Sequence, residues 1–164
     1  MAPRSRRDAI VFDDPNNEIT PDFNCATGGI LAIGGPWFLD TQTWNGQQYW
    51  EVVGGDVVTN DGIACFLTGS GNPLVKAEEL YGHELGHTLG FGHSCGDAFS
   101  PPCGPNPVLD DALMRAIIHS GLRGARINSD DRAACNALYE SRCALFLEDG
   151  FESGDVSGWS SSFP

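Results

Sequence analysis

The sequence predicts an α+β fold, in which a small sheet from the first half of the chain packs against two later helices. Short β-rich segments separated by turn residues occupy the first 60 residues. Near residue 72 the apolar residues change to the three- and four-residue spacing of an amphipathic helix. The 21 glycines and 10 prolines among 164 residues imply many turns and exclude a bundle of long helices.

The composition limits the partners that the chain can bind. A net charge of −13 with 41% hydrophobic residues is typical of one acidic globular domain. We expect this domain to span residues 1–145, followed by an acidic, Gly/Ser-rich tail over 146–164. The only basic cluster is Arg4, Arg6 and Arg7, so neither nucleic acid nor an anionic membrane is an expected partner. No apolar run approaches the roughly 20 residues that cross a bilayer. The domain is also expected to be a monomer.

Several short segments before residue 60 are predicted to be strands, because they are rich in β-branched and aromatic residues and lie between turn residues. Asn45-Gly46 predicts a hairpin that joins Phe38–Trp44 to Gln47–Val53, since both turn residues tolerate a positive φ. Gly34-Gly35-Pro36 is predicted to be a turn. The other predicted strands are Ala9–Phe12, Gly29–Ile33, Tyr49–Val53 and Asp56–Thr59.

Two helices are predicted after residue 70. The first begins at the Asn72-Pro73 cap and runs to about Leu89, where Gly90 ends it through a left-handed conformation. The second begins at Asn128 or Ser129 and continues to Leu138-Tyr139, with two aspartates favourably placed at its positive end. The segment Gly92–Ile127 between them shows little periodicity, and so long a loop in a small domain is a functional candidate.

Six cysteines at positions 25, 65, 95, 103, 135 and 143 favour disulfide bonds and an extracellular, secreted protein. The alternative is buried free thiols in a cytosolic protein, whereas zinc–thiolate binding is disfavoured because no two cysteines lie two to four residues apart. Six cysteines allow 15 pairings. Short loops favour Cys95–Cys103 and Cys135–Cys143, which leaves Cys25–Cys65.

A histidine cluster lies at the end of the first predicted helix, in the segment HELGHTLGFGH from His83 to His93. Four residues on a helix advance about 400°, so His83 and His87 share one face and can bind the same ion. Gly90 lets the chain reverse and return His93 toward that ion. Three neutral imidazoles leave one tetrahedral position of Zn²⁺ open for water, as in catalytic zinc sites. Glu84 would lie beside that water as a general base without being a ligand.

The same residues match the pattern HExxHxxGxxH, which resembles the signature of the metzincin clan of zinc endopeptidases, and Ser94 after it is most similar to the matrixin branch. Ala112-Leu113-Met114 is similar to the turn that places a methionine beneath the zinc in that clan. The resemblance covers about residues 8–139. It implies a small twisted mixed sheet packed on a zinc-binding active-site helix, with a C-terminal helix but without the family's first helix and two N-terminal strands.

The resemblance also implies an activity and a substrate. The expected reaction is hydrolysis of peptide bonds, with one catalytic zinc and with Glu84 as the general base. Gly29-Ile30-Leu31-Ala32 looks like the family's edge strand that pairs with an extended polypeptide substrate. Leu31 and Ala32 on that strand, and Ala116 after the methionine turn, are therefore the expected substrate-binding residues.

Three departures from the matrixin pattern limit what the resemblance implies. Ile33 and Val58 stand where matrixins have ligands of a structural zinc, so a second zinc of that kind is not expected. Met114 is followed by Arg115-Ala116 rather than Pro-x-Tyr, so no tyrosine assists the reaction from that turn. His119 lies in the segment that forms the family's specificity wall, and it is interpreted as an ordinary exposed histidine.

Two alternatives to an endopeptidase remain open at this level. One is a zinc-bearing module that binds peptides without cleaving them, and the other is a zinc hydrolase of small amides. The acidic loops Asp13–Glu18 and Asn60-Asp61 hold enough oxygen atoms for Ca²⁺, although acidic turns are more often simply solvated.

Overall fold

A computed structural model of the chain describes residues 8–119 and 123–139. The described part is mixed α+β, as predicted, with a three-stranded mixed sheet in the order β1-β3-β2, in which β1 is parallel to β3 and β2 is antiparallel to it. The strands and helices, in chain order, are β1 (Ala9–Val11), β2 (Ala32–Trp44), β3 (Gln47–Thr59), α1 (Ala64–Thr68), α2 (Pro73–Thr88), α3 (Pro107–Asp110) and α4 (Ser129–Tyr139).

The predicted hairpin is confirmed, but its strands are longer than predicted. Asn45 and Gly46 have φ values of 48° and 80°, and they connect β2 to β3 at the pair Trp44–Gln47. The prediction of a turn at 34–36 was wrong, because these residues lie inside β2. A proline is tolerated there because β2 lies at the edge of the sheet. The prediction of two strands over 49–59 was also wrong, since β3 continues through Gly54 and Gly55.

The start of β2 also differs from the predicted strand Gly29–Ile33. Gly28 and Gly29 have φ values of 78° and 141°, so the chain turns there and the strand begins at Ala32. Only the last two residues of the predicted segment are therefore in the sheet.

Both long helices are confirmed at their predicted positions. Helix α2 begins after Asn72, whose side chain accepts a hydrogen bond from the Leu74 N–H, and α4 begins at Ser129. The short helix α3 was not predicted, although Asn106-Pro107 repeats the same cap signature and Asn106 accepts from Val108 N–H. No helix within the described residues is long and apolar enough to span a membrane.

Two of the three predicted disulfides are present, Cys25–Cys65 and Cys95–Cys103. The third predicted pair includes Cys143, and both that residue and the predicted tail over 146–164 lie outside the described residues. The two disulfides are compatible with an extracellular protein.

Helix α2 packs unusually close to the sheet, and glycines make this approach possible. A Cβ atom on Gly34 of β2 would lie 2.2 Å from the backbone oxygen of Glu84, and one on Gly55 would lie 2.4 Å from Cβ of Thr88. Beside this contact, Ala32, Ile63 and Leu80 form a buried apolar cluster that joins β2 to the helix. The close approach brings the middle of α2 directly against the first residues of β2.

We predict that Gly34→Ala lowers the free energy of unfolding by about 1–3 kcal/mol, because the new methyl group meets helix backbone that cannot move aside cheaply. Gly35→Ala is the matched control. A Cβ atom there has no neighbour within 4 Å, so its effect should stay within about 0.5 kcal/mol. Urea unfolding of both variants measures the difference, and equal stabilities would contradict this account of the helix–sheet contact.

Candidate metal centre

Helix α2 and the turn after it place all three histidines of the cluster. His83 and His87 are one turn apart on the helix. At its end, Gly90 adopts a φ of 88°. Its N–H donates to the carbonyl of His87, and the Phe91 N–H donates to that of Gly86. These two bonds form a Schellman motif, which reverses the chain and carries His93 back toward the helix.

The three imidazole rings converge on one point. The Nε2 atom of His87 lies 3.1 Å from Nε2 of His83 and 3.1 Å from Nε2 of His93. Two ligands of a tetrahedral zinc, with Zn–N bonds of about 2.0–2.1 Å, are about 3.3–3.4 Å apart. The three residues can therefore bind one metal ion.

The Nδ1 contacts of His83 and His87 determine which nitrogen of each neutral ring carries the proton. Nδ1 of His83 contacts the Leu113 carbonyl at 2.8 Å, and Nδ1 of His87 contacts the Phe91 carbonyl at 2.7 Å. A carbonyl only accepts hydrogen bonds, so each of these Nδ1 atoms must donate. The neutral tautomer then leaves Nε2 unprotonated in both rings, and the Nε2 atoms of His83 and His87, 3.1 Å apart, repel each other unless a cation lies between them. The geometry fits a metal centre better than a hydrogen-bonded cluster.

Burial keeps these imidazoles neutral. It lowers the pKa of His83 to about 4, although the hydrogen bond to the Leu113 carbonyl acts in the opposite direction. Burial likewise lowers the pKa of His87, with the Phe91 carbonyl opposing it. Near neutral pH both rings are therefore in the form that binds a metal.

Glu84 follows the first histidine and lies in the same cleft as the three rings. Only 5% of its surface is exposed. Burial raises the pKa of Glu84 to about 7, and the Gly34 backbone N–H acts in the opposite direction. A carboxyl group with a pKa near neutrality can both take up and release a proton under ordinary conditions.

The cleft also contains the residues predicted to bind substrate. Leu31, Ala32 and Ala116 all line it together with the three histidines. Leu31 and Ala32 lie at the start of the edge strand β2, and Ala116 lies on the segment after the predicted methionine turn. Most of the remaining wall is apolar and includes Phe23, Phe66, Leu80, Leu113, Ile117 and Ile118.

Met114 lies in a tight turn that packs against α2 at Gly86. It is 3% exposed, and a Cβ atom on Gly86 would lie 2.3 Å from its sulfur. The buried carboxylate of Asp131, at the start of α4, accepts hydrogen bonds from the N–H groups of Leu113 and Met114. The Leu113 carbonyl in turn accepts from His83, so one continuous set of hydrogen bonds links α4 to a metal-site histidine.

The prediction that His119 is an ordinary exposed histidine was wrong. Its side chain is 14% exposed, and its Nδ1 atom contacts the buried carboxylate of Glu79 at 2.6 Å. Its Nε2 atom contacts the Asp110 carbonyl at 2.7 Å. Both ring nitrogens are therefore held by buried or backbone oxygen atoms. Glu79 precedes His83 by one helical turn, so its contacts with the backbone N–H and the ring of His119 anchor the segment after the methionine turn to α2.

Sequence reasoning placed Asp131 only as a favourable charge at the start of the second helix, and it missed Glu79 and a third carboxylate, Asp97, whose Oδ2 atom contacts Nδ1 of His93 at 2.5 Å. Glu79 and Asp131 act on residues 17 to 40 positions away, which no local pattern indicates. Asp97 follows His93 by only four residues, and that spacing was the one available signal.

The two acidic loops proposed for calcium use some of their oxygens locally. The buried Asp14 carboxylate accepts hydrogen bonds from the N–H groups of Glu18 and Ile19. In residues 8–119 and 123–139, these loops do not bring three carboxylates within 4.8 Å of one another. Calcium binding stays a prediction.

Comparisons with models of protein families, with curated proteins and with solved structures find no match for this chain. The chemistry assigned to the site therefore rests on its motif and on its geometry.

We predict that, in the metal-free protein kept in a chelator, the contribution of Glu84 to stability falls as the pH rises from about 4.5 to about 7. The folded pKa of Glu84 is about 7 against an ordinary value of 4.5, so its contribution is fully present below pH 4.5 and is lost as the carboxyl ionises in place. The loss is about 3 kcal/mol at most.

The shifted histidines act in the opposite direction, so the comparison must be with Glu84→Gln, which retains them. Free energies of unfolding, measured at several pH values between about 4.5 and 7, should show Glu84→Gln becoming more stable relative to the wild type as the pH rises. Parallel pH profiles for the two proteins would contradict the assignment of a raised pKa to Glu84.

Proposed function

We propose that this chain is a secreted, monomeric, zinc-dependent endopeptidase of the metzincin clan, similar to its matrixin branch. One observation carries the proposal: three imidazole rings converge in a cleft that also holds the buried carboxyl group of Glu84. The methionine turn beneath the histidines and the two disulfides are in keeping with it.

The donor set favours zinc. Three neutral imidazoles suit a borderline-soft divalent ion, and a tetrahedral ion held by three protein ligands keeps one position open. When bound, zinc would polarise the scissile carbonyl and lower the pKa of a water molecule toward about 7. His83, His87 and His93 would hold the ion, and the hydrogen bonds at their Nδ1 atoms keep the rings in the required tautomer.

Glu84 performs the proton transfers in this proposal. Its carboxylate removes a proton from the attacking water and then delivers it to the leaving amide nitrogen. The apolar surroundings that raise its pKa to about 7 make both steps possible at neutral pH. The Gly34 N–H helps to keep the carboxylate form available.

An extended polypeptide is the proposed substrate. Within the described residues β2 is an edge strand, and its first residues lie in the cleft. A substrate strand beside Leu31 and Ala32 would gain main-chain hydrogen bonds, and side-chain pockets in the cleft would supply selectivity. The segment that contains Ala116 would border the substrate on the other side.

We predict that Glu84→Gln retains one zinc per chain and loses about 10²- to 10⁴-fold in kcat for an unfolded protein substrate. The loss follows from removal of the proton acceptor while the ligands remain. Glu78→Gln is the matched control, since this exposed residue lies on the same helix outside the cleft, and it should cleave like the wild type. Metal analysis and gel-based cleavage assays measure both quantities.

Unchanged cleavage by Glu84→Gln would show that the Glu84 carboxyl group is not the general base. Wild-type protein that holds zinc and captures peptides without cleaving them would favour the binding module. Turnover of a small amide without turnover of a long unfolded chain would favour a hydrolase of small substrates.

A further inference from the structure

The loop 95–103 carries a carboxylate that contacts one histidine of the candidate metal centre. Oδ2 of Asp97 lies 2.5 Å from Nδ1 of His93. The side chains of the two residues are 28% and 26% exposed, so the contact lies at the rim of the cleft. A carboxylate only accepts, so the Nδ1 atom of His93 donates, and the opposite ring nitrogen, Nε2, lies 3.1 Å from Nε2 of His87.

The other oxygen of Asp97 is fixed within the loop. Oδ1 accepts hydrogen bonds from Phe99 N–H at 2.8 Å, from Ser100 N–H at 2.7 Å and from the Ser100 hydroxyl at 2.7 Å. The carboxylate therefore has a defined position.

The loop itself is attached at several points. The Cys95–Cys103 disulfide closes it, and the Gly96 N–H donates to the Pro101 carbonyl across it. The Ala116 N–H donates to the Cys95 carbonyl at 2.9 Å, which ties the loop to the segment after Met114. Asp97 thus lies on a closed loop that is hydrogen-bonded to the segment after Met114.

His93 differs from the other two histidines in its place in the chain and in the group that accepts from its ring. His83 and His87 belong to a helix, and backbone carbonyls accept from their rings. His93 lies on the loop after Gly90, and its ring is the one of the three that donates to a charged group. A charged acceptor on the outer nitrogen fixes the ring orientation and makes the inner nitrogen a more basic ligand.

We propose that Asp97 is a positioning residue for His93, and that the disulfide-closed loop 95–103 is an outer part of the metal centre that sets its affinity for a divalent cation. This inference rests on the proposed metal centre. Asp97 touches neither substrate nor metal in this account, and it acts through the orientation and basicity of one ligand.

The test measures metal affinity rather than activity. Zinc is titrated into the metal-free full chain in competition with a chromophoric chelator. Asp97→Asn should raise the zinc Kd by about 10- to 100-fold, the usual effect of losing an outer carboxylate. Ser100→Ala removes the hydroxyl that donates to Oδ1 and should raise the Kd by a smaller factor. Asp40→Asn, at an exposed position of β2, makes the same change of charge and should leave the Kd unchanged.

The absorption spectrum of bound Co²⁺ provides a second measurement, because it would not change if Asp97 only stabilised the fold. The visible absorption of Co²⁺ bound to Asp97→Asn should differ in band position or intensity from that of the wild type, because one ligand is differently oriented. Circular dichroism of the metal-free variants reports whether they fold. If Asp97→Asn does not fold, the zinc Kd and the cobalt spectrum of Ser100→Ala test the proposal instead.

The outcomes separate the two proposals. Wild-type protein that binds no zinc overturns the proposed metal centre together with this inference. Wild-type binding with an unchanged Kd and an unchanged cobalt spectrum in Asp97→Asn overturns this inference alone. An equal loss of affinity in Asp40→Asn would also overturn it, because the effect would then come from net charge.

Discussion

The candidate site depends on one electrostatic constraint: one nitrogen from each of three imidazole rings lies within 4.8 Å of the others, and the unprotonated nitrogens of His83 and His87 repel each other unless they share a cation. Each ring is oriented from outside, by the Leu113 carbonyl at His83, by the Phe91 carbonyl at His87 and by a carboxylate at His93. These contacts come from the methionine turn, the reversed chain after α2 and the disulfide-closed loop. The long segment between α2 and α4 therefore serves largely to complete a site that begins on the helix.

The second constraint is the distance between α2 and the sheet. Glycines at the contact let helix backbone lie directly against β2, which buries Glu84 between the helix and the first residues of the strand. Burial then raises the pKa of this carboxyl group to about 7. The same packing that stabilises the fold thus prepares an acid–base group beside the histidines, and the edge of β2 brings the expected substrate-binding positions into the same cleft.

Local signals in the sequence predict the part of this arrangement that depends on neighbouring residues. The Asn72-Pro73 cap, the helical spacing and Gly90 predict α2 and the reversal after it, and with them the convergence of the three histidines. The turn predicted at 34–36 failed because pairing with β3 and contact with α2 outweigh the turn preference of glycine and proline. The burial of His119 and the role of Asp131 depend on partners that lie 40 and 17 to 18 positions away, and no local pattern carries that information.

X-ray absorption at the zinc edge of the purified protein tests the central claim most directly. The account predicts about one zinc per chain, with three imidazole nitrogens at about 2.0–2.1 Å and scattering from their outer ring atoms. The account would be contradicted by a purified protein that takes up no zinc, or by a bound zinc with fewer than three imidazole ligands.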